Sequence, residues 1–193
     1  MVPWTGHDKL AMTTMIQPGT SAPASIASFP DQAHVRVVVS QPLLDPTAAQ
    51  ALTTALGKLF AQFVREDRMQ TWAIETIDDG IAVLCAWTGG PISGCSHDKL
   101  HGVLEHAERN GHSLLAPPPI AVKATDGWRW GTRADLRTWI AAGEVTGASM
   151  YLDRTVATLG EWRLRGLIAL ERSGLPLVRG SGGPVVSFAR SLL

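Results

Sequence analysis

The chain has 193 residues, 45% of them apolar, with seventeen Lys+Arg against seventeen Asp+Glu, six His and two Cys. This length and apolar fraction support a buried core and exclude a wholly disordered protein, while zero net charge without a basic run leaves no electrostatic footprint for nucleic acid or an anionic membrane surface. No stretch reaches the roughly 20 apolar residues of a spanning helix and no signal-peptide pattern opens the chain; two cysteines are too few for a disulfide framework, so a soluble cytoplasmic protein is expected.

Residues 1–33 scatter Pro, Ser, Thr, Gly and Ala without a period of 2 or 3.6, which predicts a disordered leader. His34 to Ser40 (HVRVVVS) is β-branched and short, the pattern of a strand. Asp45 then supplies an N-cap with Pro46 at the first helical position, and Leu52, Leu56, Leu59, Phe60 and Phe63 recur at helical spacing, so a helix should run to about Glu66. Gln70 to Ile77 and Ile81 to Trp87 are two strand-like runs split by Asp78-Asp79-Gly80, which makes them a hairpin. After the loop TGGPISG, a helix is expected from about Ser96 to Arg109, with Leu100, Val103, Leu104 and Ala107 on its apolar stripe and Asn110-Gly111 ending it. Pro119 to Ala124 reads as a fourth strand. The order βαββαβ predicts an α+β domain over 34–124, a ferredoxin-like sandwich with helices on one face of an antiparallel sheet.

Residues 125–173 repeat a smaller theme, a β-α-β-α extension. Thr125-Asp126-Gly127 turns into Trp128-Arg129-Trp130; Thr132 and Asp135 form a capping box for a helix carrying Leu136, Trp139 and Ile140; Ser149 to Leu152 is a short strand; and Thr158 with Glu161 is a second capping box for a helix carrying Trp162, Leu167 and Ile168 to about Arg172. From Gly174 a flexible tail with an apolar end, VVSFARSLL, is expected to dock on the body or meet a partner.

The loop Gly89 to Lys99 (GGPISGCSHDK) joins a strand to a helix N-terminus, where unpaired amides and the helix dipole favour negative charge. Cys95 at the cap could therefore be an ionised thiol, a nucleophile or oxidant sensor, with Gly94, Cys95 and Ser96 amides holding an anion or oxyanion, His97 or Lys99 adding positive charge and Asp98 fixing the helix start. Helix capping alone also accounts for these residues: Gly94 turns, Ser93 or Ser96 caps, Asp98 complements the dipole and Cys95 packs as a small apolar side chain. Gly89, Gly94 and Ser96 match the spacing of a phosphate-binding G-x-x-x-x-G-K-[ST] loop, but Cys95 stands in the lysine position, so a nucleotide triphosphatase is not expected. His97 and His101 lie four apart beside Glu105, yet no third and fourth ligand can be identified, so neither a metal nor another cofactor is expected. Cys85, mid-strand, reads as core.

From His34 to about Arg165, the strand, long helix, hairpin, SGCSxDK at Ser93 to Lys99 and the closing AAGEV…TLGEW resemble a family of small bacterial proteins of uncharacterised function, some of them labelled ABC-transporter ATPases. The resemblance places Ser93, Gly94, Cys95, Ser96, Asp98 and Lys99 on the family's short motif and His97 at a variable place in it, and implies no reaction. Asp126 to Trp162 is similar to GYF-2-type modules, which bind proline-rich peptides or other protein segments. That likeness makes Trp128, Trp130 and Trp162 candidate protein-binding residues, while the same rings with Trp139 could equally fill the core of a small subdomain. With no complete catalytic set, the leading expectation is a non-enzymatic module that binds a protein or a small anionic ligand; the alternative is a thiol-dependent enzyme or redox sensor using Cys95.

Overall fold

The computed structural model describes residues 25–175. The protein is α+β, and the described residues form four helices and two antiparallel sheets. They divide into two compact units, residues 25–117 with 153–167 and residues 118–152 with 168–175.

In the first unit, β1 (His34–Val39), β2 (Trp72–Ile77) and β3 (Ala82–Trp87) form a sheet in the order β1-β3-β2. The register sets Val38 opposite Val83 and Arg36 opposite Cys85, with Ile74 opposite Cys85 on the other side. The β2–β3 turn requires its residue types: Asp79 and Gly80 have φ of 56° and 86°, and a Cβ on Gly80 would come within 2.2 Å of the Leu44 carbonyl oxygen. Helix α1 (Pro46–Arg65) starts as its sequence dictates, with the Asp45 carboxylate accepting from the Ala48 amide at 2.8 Å and proline in the first turn. Its Leu52, Leu56, Phe60 and Phe63 and the Leu100 and Leu104 of α2 (Gly94–Glu108) bury against Val38, Ile74, Val83 and Trp87. Each such large side chain contributes about 1.5–3 kcal/mol of transfer free energy. Glu75 projects from β2 at 2% exposure; its Oε1 accepts from the Ile26 amide at 3.1 Å and its Oε2 has no partner. Desolvation raises its pKa above the ordinary carboxylate value.

Residues 25–33, expected as part of a disordered leader, are ordered here. Ser25 caps a 3-10 turn at Ile26–Ser28, Ile26, Phe29 and Ala33 are buried, and the Arg163 guanidinium pairs with Asp31 and donates to the Phe29 carbonyl at 2.9 Å. Three widely spaced apolar residues among prolines and serines carry no period, yet they bury when a distant helix supplies the complementary charge. The rest of the expected leader, residues 1–24, and residues 176–193 of the expected tail lie outside the described residues.

The second unit contains β4 (Ile120–Ala124), β5 (Gly127–Gly131), α3 (Arg133–Ala141) and β6 (Met150–Leu152), and the second sheet runs in the order β5-β4-β6-β7, with β7 at Leu167–Ala169. Here the expected topology is corrected: β4, read as the fourth strand of a single ferredoxin-like sheet, does not join β1. It pairs with β5 over five residues and with β6 at Val122–Tyr151 and Lys123–Met150. The two-residue turn at Asp126 makes the β5 partner local, and closing a short hairpin is entropically easier than returning to β1 across the chain. The Thr132–Asp135 capping box is complete, with Thr132 Oγ1 accepting from the Asp135 amide and the Asp135 carboxylate accepting from the Thr132 amide at 2.7 Å. Val122, Leu136, Val145, Tyr151 and Leu170 form this unit's core, and Leu175 packs against it. Helix α4 (Leu159–Arg165), expected in the extension and to about Arg172, belongs to the first unit and ends at Arg165; Leu167 and Ile168, read as part of it, stand in β7, because the Gly166 carbonyl accepts from the Asp153 amide at 2.9 Å and starts a ladder in place of another helical turn. No described helix is long and apolar enough to cross a membrane.

Candidate functional site

Helix α2 begins two residues earlier than its periodicity predicts. Ser93 is the N-cap by backbone conformation, but its side chain makes no capping bond; its carbonyl accepts from the Ser96 and His97 amides at 3.0 and 2.9 Å. The Gly94 and Cys95 amides make no hydrogen bond to a described residue, and Cys95 is exposed. Ser96 is different in kind. It is fully buried, its Oγ accepts from the Arg68 guanidinium at 3.0 Å and lies 3.2 Å from Ser93 Oγ. Of the three amides expected to hold an anion, the Ser96 amide is thus already bonded. Lys99 turns away from Cys95 to Glu66 at 3.3 Å, its ammonium 5.9 Å from the Phe63 ring, and Glu66 also takes Arg68 at 2.8 Å. Asp98 is exposed. The SGCSHDK segment therefore joins the end of α1 to the start of α2 through Ser96, Arg68, Glu66 and Lys99. Buried Cys85, at 0% exposure, has its thiol pushed up to about 12 by desolvation. Among the described residues no three His, Cys, Asp or Glu side chains converge as metal ligands.

The candidate aromatic set divides between the units. Trp128 and Trp130 stand on β5, Trp128 at 7% exposure and Trp130 half-buried with its indole N–H unpartnered, whereas Trp162 belongs to α4 and packs on Gly166 of its own helix end. Trp128 is thus a core ring.

The first unit holds a concave site that sequence reasoning missed. A groove of about 470 Å³ runs along the outer edge of β1 and is walled by Trp87, Ile92 and His97 on one side and by residues of 114–117 and 154–157 elsewhere. Its floor is the unpaired side of a β-strand. The Ser40 amide donates to the carbonyl of Ile81, the residue before β3, so even-numbered residues of β1 hydrogen-bond inward and odd-numbered ones outward. At one end the Val35 amide donates to the Ala157 carbonyl at 3.0 Å; at the other, Gln41 and Ser113 exchange bonds of 3.1 and 2.7 Å. Between them, no described residue pairs with the Val35 carbonyl or with the amides and carbonyls of Val37 and Val39.

Both covering segments stop short for the same reason. Pairing continued at the first end would bring the Ala157 amide to the Val35 carbonyl, but that amide donates to the Glu161 carboxylate at 2.7 Å. Pairing continued two residues from Ser113 would bring Leu115 opposite Val39, but the Leu115 and Leu114 amides both donate to Glu108 Oε1, at 2.8 and 2.7 Å. These amide bonds, foremost that of Leu115 on Glu108 and that of Ala157 on Glu161, hold both carboxyls below the ordinary carboxylate range. The sequence signal for this edge was present in one residue: Arg36 is a charge inside an otherwise apolar strand, as edge strands commonly carry. The walls come from distant, aperiodic segments and left no such mark. No family model, curated protein or solved structure matches the chain.

Proposed function

We propose that this chain is a non-enzymatic binding module that takes an extended polypeptide segment onto the outer edge of β1. The observation that carries this reading is the row of five main-chain groups, from the Val35 carbonyl to the Val39 carbonyl, that faces a groove while both neighbouring segments are held off by carboxylates. An open ladder flanked by side-chain walls is what strand addition uses: main-chain hydrogen bonds supply affinity, and the walls read alternate side chains. The groove volume falls within the range of about 300–1,000 Å³ typical of ligand sites. Among the described residues no nucleophile, base and oxyanion set is assembled beside the groove, and binding is the reading we keep. The thiol-dependent reading keeps one point in its favour, the exposure of Cys95 in the first turn of α2.

Amide exchange tests the reading directly. In the free protein the Val37 and Val39 amides should exchange faster than those of Arg36 and Val38, which face β3, and a capped seven-residue peptide alternating valine with glutamine should protect Val37 and Val39 selectively. Equal protection of all four amides without peptide, or peptide-induced shifts confined to other parts of the chain, would refute it.

A further inference from the structure

Resting on the strand-addition reading, we infer that the segment bound along β1 is acidic, with Asp or Glu side chains at alternate positions. The groove lining contains Arg36, Arg154, His34 and His97 and no Asp or Glu. Arg36 is exposed on the edge strand itself and has no carboxylate partner among the described residues. Arg154 donates to the Pro117 carbonyl at 3.2 Å, a neutral acceptor that leaves its charge uncompensated. Three other guanidiniums of this unit, Arg68, Arg163 and Arg165, pair with Glu66, Asp31 and Asp153, whereas Arg65 and Arg109 do not line the groove. The nearest carboxylates, Glu108 and Glu161, sit at the two ends of the open stretch and are engaged there by the Leu114, Leu115 and Ala157 amides, so between them the charges that face an added strand are the guanidiniums of Arg36 and Arg154.

Because strand side chains alternate faces, a residue of the added strand beside Arg36 shares its face and lies within cross-strand reach. A carboxylate there forms a charge-assisted bond, about twice as strong as a neutral one. Charge also argues against the other occupants. A second copy pairing edge to edge would bring two Arg36 side chains into one short ladder, and like charges on neighbouring strands are destabilising. Residues 176–193 of this chain carry Arg179 and Arg190 and no acidic side chain.

The test uses the full chain and three capped, fluorescently labelled seven-residue peptides that alternate valine with glutamate, glutamine or lysine, read by anisotropy. The glutamate peptide should bind about tenfold tighter than the glutamine peptide and the lysine peptide more weakly than both, and raising salt from about 50 to about 500 mM should remove most of the difference. Arg36→Gln should collapse the ratio of glutamate-peptide to glutamine-peptide affinity from about tenfold to about one, a loss of preference that unfolding, which weakens both peptides alike, would not produce. Equal affinity for glutamate and glutamine peptides overturns the acidic inference and leaves the strand-addition reading standing. Failure of all three to bind overturns the strand-addition reading and the inference with it. Concentration-dependent dimerisation of the chain alone, with protection of the Val37 amide rising in step, identifies a second copy as the occupant and overturns the inference.

Discussion

Replacing Glu108 tests both the stability of the first unit and the origin of its open edge. Glu108 Oε1 accepts from the Leu114 and Leu115 amides at 2.7 and 2.8 Å, and the side chain is half-buried. Hydrogen bonds to a charged group are worth about 1.5–3 kcal/mol each when well buried. One oxygen shared by two donors in a partly solvated position lowers this to about 1–1.5 kcal/mol per bond. Glu108→Ala should therefore destabilise by about 2–3 kcal/mol at pH 7, and Glu108→Gln, which keeps a neutral oxygen for the same amides, by about 1 kcal/mol. The pH dependence follows from the same contacts. The folded-state pKa of Glu108 lies below its ordinary value of 4.5, with the Leu115 amide the largest cause and the Leu114 amide next. Its stabilisation is complete above the unfolded value and fades as pH falls through the folded one. Urea denaturation followed by tryptophan fluorescence should show the gap between wild type and Glu108→Ala narrowing on acidification below pH 4.5. A gap under about 0.5 kcal/mol at pH 7, or one independent of pH, would refute the assignment of this carboxylate as the anchor of residues 114 and 115.

Gly80→Ala should destabilise by about 3 kcal/mol or more, because the added Cβ meets the Leu44 carbonyl oxygen at 2.2 Å on a backbone with φ of 86°; thermal melting checks it, and a loss below about 1 kcal/mol contradicts the turn geometry. Glu75 has its pKa raised by desolvation, so its contribution is intact below its unfolded value and lost as pH rises through the folded one; Glu75→Gln should gain on wild type as pH rises from 4 to 8, and parallel stability curves would show that the carboxyl is solvated. Thiol counting should find one alkylated cysteine in the folded protein, the exposed Cys95, and two after denaturation, with buried Cys85 silent until then. Two reactive thiols in the folded state would contradict the burial of β3.

The elements that local chemistry determines were legible, and those that distance determines were not. Asp45-Pro46 marked the start of α1, and Asp78-Asp79-Gly80 marked the hairpin, because caps and turns act within four residues. Thr158-x-x-Glu161 read as a capping box, and half of it is present: Thr158 Oγ1 accepts from the Glu161 amide at 3.3 Å, but the Glu161 carboxylate reaches one residue further back, to Ala157. That displacement by a single residue opens one end of the groove. The sheet to which β4 belongs was illegible because Ile120-Ala121-Val122-Lys123-Ala124 suits a ladder beside β1 as well as one beside β5 and β6, and pattern alone does not name a partner. The loop before α2 was legible as a strand-to-helix turn, yet its chemistry read differently in the fold. Ser96, grouped with Cys95 by sequence, faces inward to Arg68, while Cys95 faces solvent, since successive residues on a helix point about 100° apart.

An open strand edge invites uncontrolled pairing, and chains usually cover it, shorten it or charge it. This one is handled by competition. At each end of β1 a segment arrives in pairing distance, and its next amide has a choice between a strand carbonyl and a carboxylate, Glu161 at one end and Glu108 at the other. The charge-assisted bond is about twice as strong as the neutral one, so the amide leaves the ladder. The gap between the two departures spans Val35 to Val39, about 14 Å at the usual rise per strand residue. It admits a short extended segment and is too short to template a long one, and Arg36 in its middle repels a basic or like-charged edge. The same two carboxylates thus set where the ladder opens and how long it is, and moving either anchor by one residue would either zip the edge shut or lengthen the exposed run.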